Sequence, residues 1–330
     1  MRAAWYDRSG PAQDVFVVGN RPEPAPLRGE VLVRVRYSAV NPSDWKARAG
    51  WAPAARAKPV ELGTIAHYDG AGEIVAVGDG VGAARVGERV WIWHGAHRGF
   101  GTAAEFCVVP SDRAVRLPDQ IPLEVGACLG VPAITAYAVL FTDGALANKA
   151  VLIAAGAGAV GSYAIQLAAA AGARVAATAS TAEKQTIARE LGAASVVDYR
   201  AGDAAERLLA FAGEAGFDRI VEVDLGANLE IDLKVAAING VIASYSSTTR
   251  PSFDFPYYGF AAKGLTLRIV QAYRLPPELR AAAVSAISSA LERGTLSHRI
   301  AAVVPLAEIA RAHALAESGK LIGKVLVEIG

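Results

Sequence analysis

The feature that most constrains this chain is Gly156-Ala157-Gly158-Ala159-Val160-Gly161. Three spaced glycines lie between the apolar run Val151–Ala155 and the helical pattern Ser162–Ala171. In such a strand–turn–helix setting the first glycine permits a tight turn. The second lets backbone N–H groups approach a pyrophosphate, and the third lets helix and strand pack closely. The helix N-terminus adds unpaired N–H groups and the positive end of its dipole. Strands and helices go on alternating: Arg174–Thr178 reads as strand, Ala182–Leu191 as helix, and Ser195–Val197, Arg219–Val223 and Val241–Ser244 as strands. That alternation predicts a parallel sheet with helices on both faces. The fold class is therefore α/β, with a doubly wound sheet that binds a dinucleotide.

The first third reads differently. Glu30–Tyr37 alternates apolar and polar residues, and short apolar runs follow at Gly72–Val77, Arg89–Trp93 and Ala104–Val109, punctuated by Gly, Pro and Asp. This is the texture of a small twisted antiparallel barrel or sandwich. The pattern changes near Pro122. Late in the chain, Pro277–Arg293 and Leu306–Glu317 read as helices and Val325–Ile329 as a closing strand. With 330 residues, two domains are expected. The net charge of +1 gives no electrostatic reason for a nucleic-acid or anionic-membrane partner. Ala150–Ala179 is long and apolar, but Gly156, Gly158, Gly161, Gln166, Gly172 and Arg174 interrupt it, so a buried strand–helix–strand unit is expected rather than a membrane span. The N-terminus lacks the apolar core of a signal peptide. Cys107 and Cys128, both in apolar surroundings, read as buried free thiols and suit a reducing, cytoplasmic setting.

The second strand of the nucleotide pattern decides between dinucleotides. A carboxylate about 20 residues past the turn holds the ribose 2′-OH of NAD. Here the strand runs into Ala179-Ser180-Thr181, and the first acid is Glu183. Ser180, Thr181 and Lys184 place hydroxyl and ammonium donors where a 2′-phosphate would lie, so NADPH is the expected cofactor. Ser180-Thr181 also reads as a helix cap, and the two roles are compatible.

Taken in order, Asn41-Pro42-Ser43-Asp44, Asp69-Gly70-Ala71-Gly72 with Val75-Ala76-Val77-Gly78, Phe100-Gly101-Thr102-Ala103-Ala104-Glu105, and Ala155 through Gly161 resemble the medium-chain dehydrogenase/reductases. Within them the chain is similar to the zeta-crystallin-like quinone oxidoreductases, over Arg2–Ile329. The resemblance implies a Rossmann domain (residues 123–265) inserted into a β-rich, GroES-like substrate domain (1–122 and 266–330), with the nicotinamide in a cleft between them. It implies a homodimer joined by edge pairing of a late strand, for which Leu265–Val270 is the candidate. Residue by residue, it places Asn41 and Asp44 at the nicotinamide and substrate, and Thr135 near the nicotinamide amide. Gly156, Ala157, Gly158, Ala159, Val160 and Gly161 form the pyrophosphate turn. Lys184 and Tyr199 match 2′-phosphate ligands, and Tyr245 and Ser246 border the nicotinamide. Lys324 closes the chain's Gly-Lys motif among the cofactor-binding positions. Two positions depart from the family: Lys46 stands where a Tyr is common, and Asp224 replaces a Ser that contacts cofactor.

Zinc-containing relatives carry Cys where this chain has Asn41 and a His-Glu pair where it has Tyr68-Asp69. Asn and Tyr are poor zinc ligands, and His67 alone does not make a tetrahedral site. His94 and His97 read as loop or rim residues. The metal expectation is therefore none. Without a Lewis acid, the favoured acceptors take hydride readily by themselves: quinones, or α,β-unsaturated carbonyls. The candidate catalytic groups are Asn41 as a donor to developing oxyanion charge, Lys46 and Tyr68 for proton delivery, and Asp44, which equally reads as a loop anchor. Trp45, Trp51, Trp91 and Trp93 read as core before they read as a substrate-stacking cleft. Three functions stay open on sequence alone: quinone reductase, enoyl or alkenal reductase, and a non-catalytic NADPH-binding protein.

Overall fold

The computed structural model describes residues 1–51 and 63–330, and it divides into two units: residues 1–131 with 298–330, and residues 132–297. The first unit begins with β1 (Arg2–Tyr6), a short helix α1 (Ala12–Val15) and β2 (Val17–Asn20). The long strand β3 (Glu30–Val40) follows, then α2 (Pro42–Arg48), β4 (Thr64–Ile65), β5 (Asp69–Val77), β6 (Arg89–Ile92), β7 (Phe106–Pro110) and β8 (Ala114–Arg116). β3 is the hub. It pairs antiparallel with β5 and β7. Arg34 and Arg36 face solvent while Val31, Val33 and Val35 are buried, as period two requires. Glu30 breaks that rule: it is buried because the Leu27 N–H, His97 and Arg98 all bond to its carboxylate.

The helix α3 (Leu123–Phe141) carries the chain out of this unit. Its backbone leaves helical geometry at Gly130. Among the described residues it is the one helix long and apolar enough to cross a membrane, yet 72% of its apolar window is buried, as in a core helix.

The second unit contains β9 (Ala150–Ile153), α4 (Ala159–Ala170), β10 (Arg174–Thr178), α5 (Ala182–Glu190), β11 (Ser195–Val197) and α6 (Ala204–Ala212). It continues with β12 (Phe217–Glu222), α7 (Leu225–Val235), β13 (Ala236–Ser244), α8 (Tyr257–Lys263), β14 (Thr266–Ile269) and α9 (Pro277–Glu292). The six strands lie in the order β11-β10-β9-β12-β13-β14, all parallel. This is the doubly wound order, reversing direction beside the glycine turn. The unit ends at Ser297 rather than at 265 because β14 extends its sheet and α9 belongs to the same body.

The chain then returns to the first unit with β15 (Ile300–Pro305), α10 (Ile309–Glu317) and β16 (Lys324–Glu328). β16 pairs antiparallel with β3, Val325 opposite Val40. This closing strand and the N-terminal strands share one apolar core, which includes Val33, Ile74, Val109, Val325 and Val327. Trp91 and Trp93 are buried in this unit, so they are core residues. Cys107 and Cys128 are buried thiols outside any disulfide, and burial pushes both up to about 12.

Candidate active site

The glycine turn joins β9 to α4, and the structure redistributes the jobs of its residues. The left-handed residue is Ala155 (φ 52°), not a glycine. Gly156 is needed for packing: a Cβ there would lie 2.8 Å from the Ala177 Cβ and 2.9 Å from the Ile165 side chain. A Cβ on Gly161 would lie 2.3 Å from the Ala155 carbonyl oxygen. Gly158 is exposed at the N-cap of α4, ahead of Ala159 and Val160, with its N–H donating to the Ala155 carbonyl (2.8 Å). The turn is tied to β10 by Gly156 N–H donating to the Thr178 carbonyl (2.9 Å) and Ala155 N–H to the Thr178 hydroxyl (3.1 Å).

The loops after β10 and β11 leave the sheet side by side. Thr181 caps α5 by accepting from the Lys184 N–H (3.3 Å). Tyr199 is exposed. Beside it stands a residue that sequence reasoning passed over, Arg200. It forks onto Asp198 (2.9 and 2.7 Å) and also donates to the Ser180 carbonyl. That pairing holds the Asp198 carboxyl down at about 2. The signal was available: Asp-Tyr-Arg follows a strand and carries an acid and a guanidinium two residues apart.

At the ends of β12 and β13, Asp224 accepts from the Thr249 N–H (3.0 and 3.2 Å), tying the Ser246–Thr249 loop to α7. Tyr245 N–H donates to the Glu222 carbonyl (3.1 Å), and the Ser246 carbonyl accepts from the Leu225 N–H (3.2 Å). Glu222 is buried and accepts from Asn228 (2.9 Å) and from the Asp224 N–H. Thr135 is buried in α3.

The first unit holds the other candidates. Asn41 caps α2, and the Asp44 carboxylate accepts from the Asn41 N–H (2.6 Å), so Asp44 anchors the loop. The Asn41 amide donates to Asp69 (2.7 Å) and its oxygen accepts from the Lys324 ammonium (2.6 Å), which also reaches the Val40 carbonyl (3.1 Å). Asp69 further accepts from the Val131 N–H (2.9 Å), the backbone donor just past the break at Gly130. A Cβ on Gly130 would lie 2.0 Å from the Asp69 carboxylate, so only glycine fits there. Burial raises the Asp69 carboxyl to about 6, against the pull of Lys324, Asn41 and Val131. Lys324, grouped by sequence with the cofactor positions, lies in the β-rich unit. The β16–β3 register brings it beside Asn41. Lys46 lies 5.6 Å from the centres of both the Trp45 and Trp51 rings, and Tyr68 packs against the His94 ring (5.8 Å).

A buried chain of hydrogen bonds holds the start of β5 at Asp69, next to Tyr68. Thr102 donates to the Asp69 carbonyl (2.6 Å), so Ser38 donates to Thr102 (2.7 Å). His67 Nδ1 then donates to Ser38 (2.8 Å), and His313 Nε2 to His67 Nε2 (2.9 Å). His313 Nδ1 is left to accept from Arg48 (3.4 Å), which also pairs with Glu317. Every donor runs one way only if both imidazoles are neutral. Burial, with Lys324 nearby, lowers His67 to about 3, and burial beside His67 and Arg48 holds His313 well below its usual range. The chain ends on a backbone carbonyl, which makes it a brace rather than a proton path.

Comparison with known proteins bears on this geometry. Residues 27–119 match the alcohol dehydrogenase GroES-like domain, and residues 159–289 match the domain described as zinc-binding dehydrogenase. The chain is 30% identical over 307 residues to a quinone oxidoreductase of Rattus norvegicus, covering 92% of this chain and 90% of the relative. The chain belongs to the quinone oxidoreductase family of medium-chain dehydrogenase/reductases. Among solved relatives, a mycobacterial protein complexed with NADPH superposes with a TM-score of 0.86 at 27% identity, covering 99% of each chain. An NAD-dependent alcohol dehydrogenase gives 0.85 at 27% identity over the whole of both chains. Members of this family are oxidoreductases, and so is this chain. Its glycine turn, with an exposed Gly158 backbone at a helix N-terminus, fits a nicotinamide dinucleotide. A zinc ion does not fit the residues present. Asn41 and Asp69 already satisfy one another and the Lys324 ammonium, and among the described residues no three His, Cys, Asp or Glu side chains gather to hold a metal.

Proposed function

We propose that this protein is a zinc-independent, NADPH-dependent reductase of quinones. The observation that carries this reading is the ammonium–amide–carboxylate row Lys324–Asn41–Asp69; by the family resemblance, Asn41 and Asp69 stand where zinc-dependent relatives carry metal ligands. Bound nicotinamide supplies the hydride from its C4. The protein supplies position and charge. Lys324 polarises the Asn41 amide through its oxygen, and Asp69 takes one amide N–H. The second N–H of the same amide remains as a strengthened donor for oxyanion charge on the acceptor. Asp44 and α2 hold that amide in place. Lys46 and Tyr68 remain the candidates for proton delivery. At the other end of the cofactor, Ser180, Thr181, Lys184 and Tyr199 receive the 2′-phosphate, while Thr135, Asp224, Tyr245 and Ser246 serve the nicotinamide end.

The acting form is a homodimer in this reading. β14 is the outer strand of its sheet and leaves one edge of backbone N–H and C=O groups open, with Ile269 exposed beside it. The two free thiols suit a reducing compartment such as the cytoplasm.

The test is oxidation of NADPH and NADH, followed by nicotinamide absorbance, with a naphthoquinone, a phenanthrenequinone and a short 2-alkenal. NADPH loss with the quinones is the expected result. Loss with the alkenal alone would move the enzyme to enone reduction. NADPH binding without turnover of any acceptor would leave a binding protein. Asn41→Ala should lower turnover before it weakens cofactor binding; unchanged turnover removes Asn41 from the mechanism.

A further inference from the structure

Arg200 has a setting that an ordinary surface arginine lacks. β10 and β11 are parallel neighbours with Thr178 opposite Val197, so Ala179-Ser180-Thr181 and Asp198-Tyr199-Arg200 emerge together at the carboxyl edge of the sheet. Ala179 N–H donates to the Val197 carbonyl (3.0 Å) and fixes that exit. The guanidinium is gripped at three points: Nε and Nη2 on the two oxygens of Asp198, and Nη2 again on the Ser180 carbonyl. A planar fork held in this way has one orientation, and its Nη1 is left with two N–H donors. The side chain is still 58% exposed, so this end of it is open to a ligand.

Two consequences follow for the adenosine end of a dinucleotide. Asp198 is the acid that the neighbouring β11 loop carries, and Arg200 occupies both its oxygens and offsets its charge. It is therefore unsuited to accepting from a ribose 2′-OH, as an acid does in NAD-selective folds. The same loop pair also carries the Lys184 ammonium, one turn into α5, and the Thr181 hydroxyl, whose oxygen accepts from Lys184 N–H and whose proton is free to be donated. The two neighbouring loops and the first turn of α5 thus carry two cations and a hydroxyl, and the guanidinium suits a phosphate dianion better than an ammonium does.

We propose that Arg200, presented by Asp198, is a specificity-determining residue that grips the cofactor's 2′-phosphate through Nη1. The proposal rests on the NADPH reading above. It is tested by calorimetric titration of the full chain with adenosine 5′-phosphate and with adenosine 2′,5′-bisphosphate. The wild type should favour the bisphosphate. Arg200→Met should lower that preference about tenfold or more, as for loss of a charge-assisted phosphate contact, with affinity for the monophosphate unchanged. Arg200→Lys should restore part of it. If Arg200→Met keeps the wild-type ratio, or weakens both ligands equally, Arg200 only ties the two loops and the proposal fails while the NADPH reading stands. If the wild type does not discriminate, the NADPH reading fails first and takes the proposal with it.

Discussion

The two units place their charged groups in opposite ways. In the nucleotide unit, Arg200 sits on the loop after β11 and Lys184 in the first turn of α5, and Arg200 is solvent-exposed and paired with an acid two residues away. In the β-rich unit, Lys324, Asn41 and Asp69 are buried and bonded across 283 and 28 residues of chain. Exposed charge is cheap to place and cheap to lose, because water screens it. Buried charge costs several kcal/mol per ion in desolvation and survives only when its partners are all present. One unit is therefore tunable at its surface, while the other has a site inseparable from its fold.

The largest expected effect tests that inseparability. Lys324→Met should destabilise the chain by about 3–5 kcal/mol, the usual cost of stranding one half of a buried pair. Urea unfolding of the wild type, Lys324→Met, Asp69→Asn and the double variant gives the coupling. The double variant should lose less than the sum of the singles. A Lys324→Met protein of wild-type stability with only a weakened affinity for NADPH would make Lys324 a cofactor ligand alone and dissolve the contrast.

Next in size is the turn. Gly161→Ala would press a methyl against the Ala155 carbonyl within a turn that also bonds to Thr178. The expected cost is about 2 kcal/mol of stability, from strain in a packed turn, together with a loss of nucleotide affinity measurable by fluorescence titration. The comparison sharpens if nucleotide affinity falls while the β-rich unit's acid unfolding is unchanged.

That acid unfolding is set by the brace. His67 is lowered to about 3, so between its ordinary pKa and that value the unfolded chain binds the extra proton. Stability is full above that window and falls as pH drops through it, by roughly 1.4 kcal/mol per pH unit for one such group. Asp69 works the other way. Its carboxyl is raised to about 6 from 3.8, so the folded chain holds the extra proton between those values and gains stability as pH falls through them. His67→Asn removes the first term and leaves the second, and Asn tolerates the left-handed backbone at this position (φ 73°). Urea midpoints at about pH 7 and about pH 5 should fall less in the variant than in the wild type. Equal falls would show that the imidazole is not the group being charged.

How much was legible follows the same divide. The parallel sheet, its glycine turn and its strand-end loops come from local patterns: period two, spaced glycines, a cap. Strand Arg174–Thr178 and strand Ser195–Val197 have the limits that periodicity predicts. The site in the β-rich unit could not be assembled in that way. Asn41 and Asp69 were named by motif, but Lys324 joins them only because β16 lies against β3, a pairing between the chain's end and its first third. The His67–His313 brace was invisible for the same reason, since 246 residues separate the partners. Even in the turn, the pattern placed the glycines and misread the first of them, because the left-handed position went to Ala155 while Gly156 is needed for packing.

That alanine gives the smallest effect. An L-residue in the left-handed region costs roughly 1–2 kcal/mol through the Cβ, and glycine avoids this while giving back about 0.5–1 kcal/mol in unfolded-state entropy. Ala155→Gly should therefore gain stability by up to about 1 kcal/mol, seen as a modest rise in the urea midpoint. The Ala155 methyl lies 3.9 Å from where a Cβ on Gly158 would stand, on the exposed side of the turn. If the variant is more stable but binds nucleotide less well, the alanine is retained because it stiffens the loop that meets the pyrophosphate. If it gains stability with binding unchanged, the strain has no functional return, and the nucleotide unit is as freely adjustable in its backbone as it is in its surface charges.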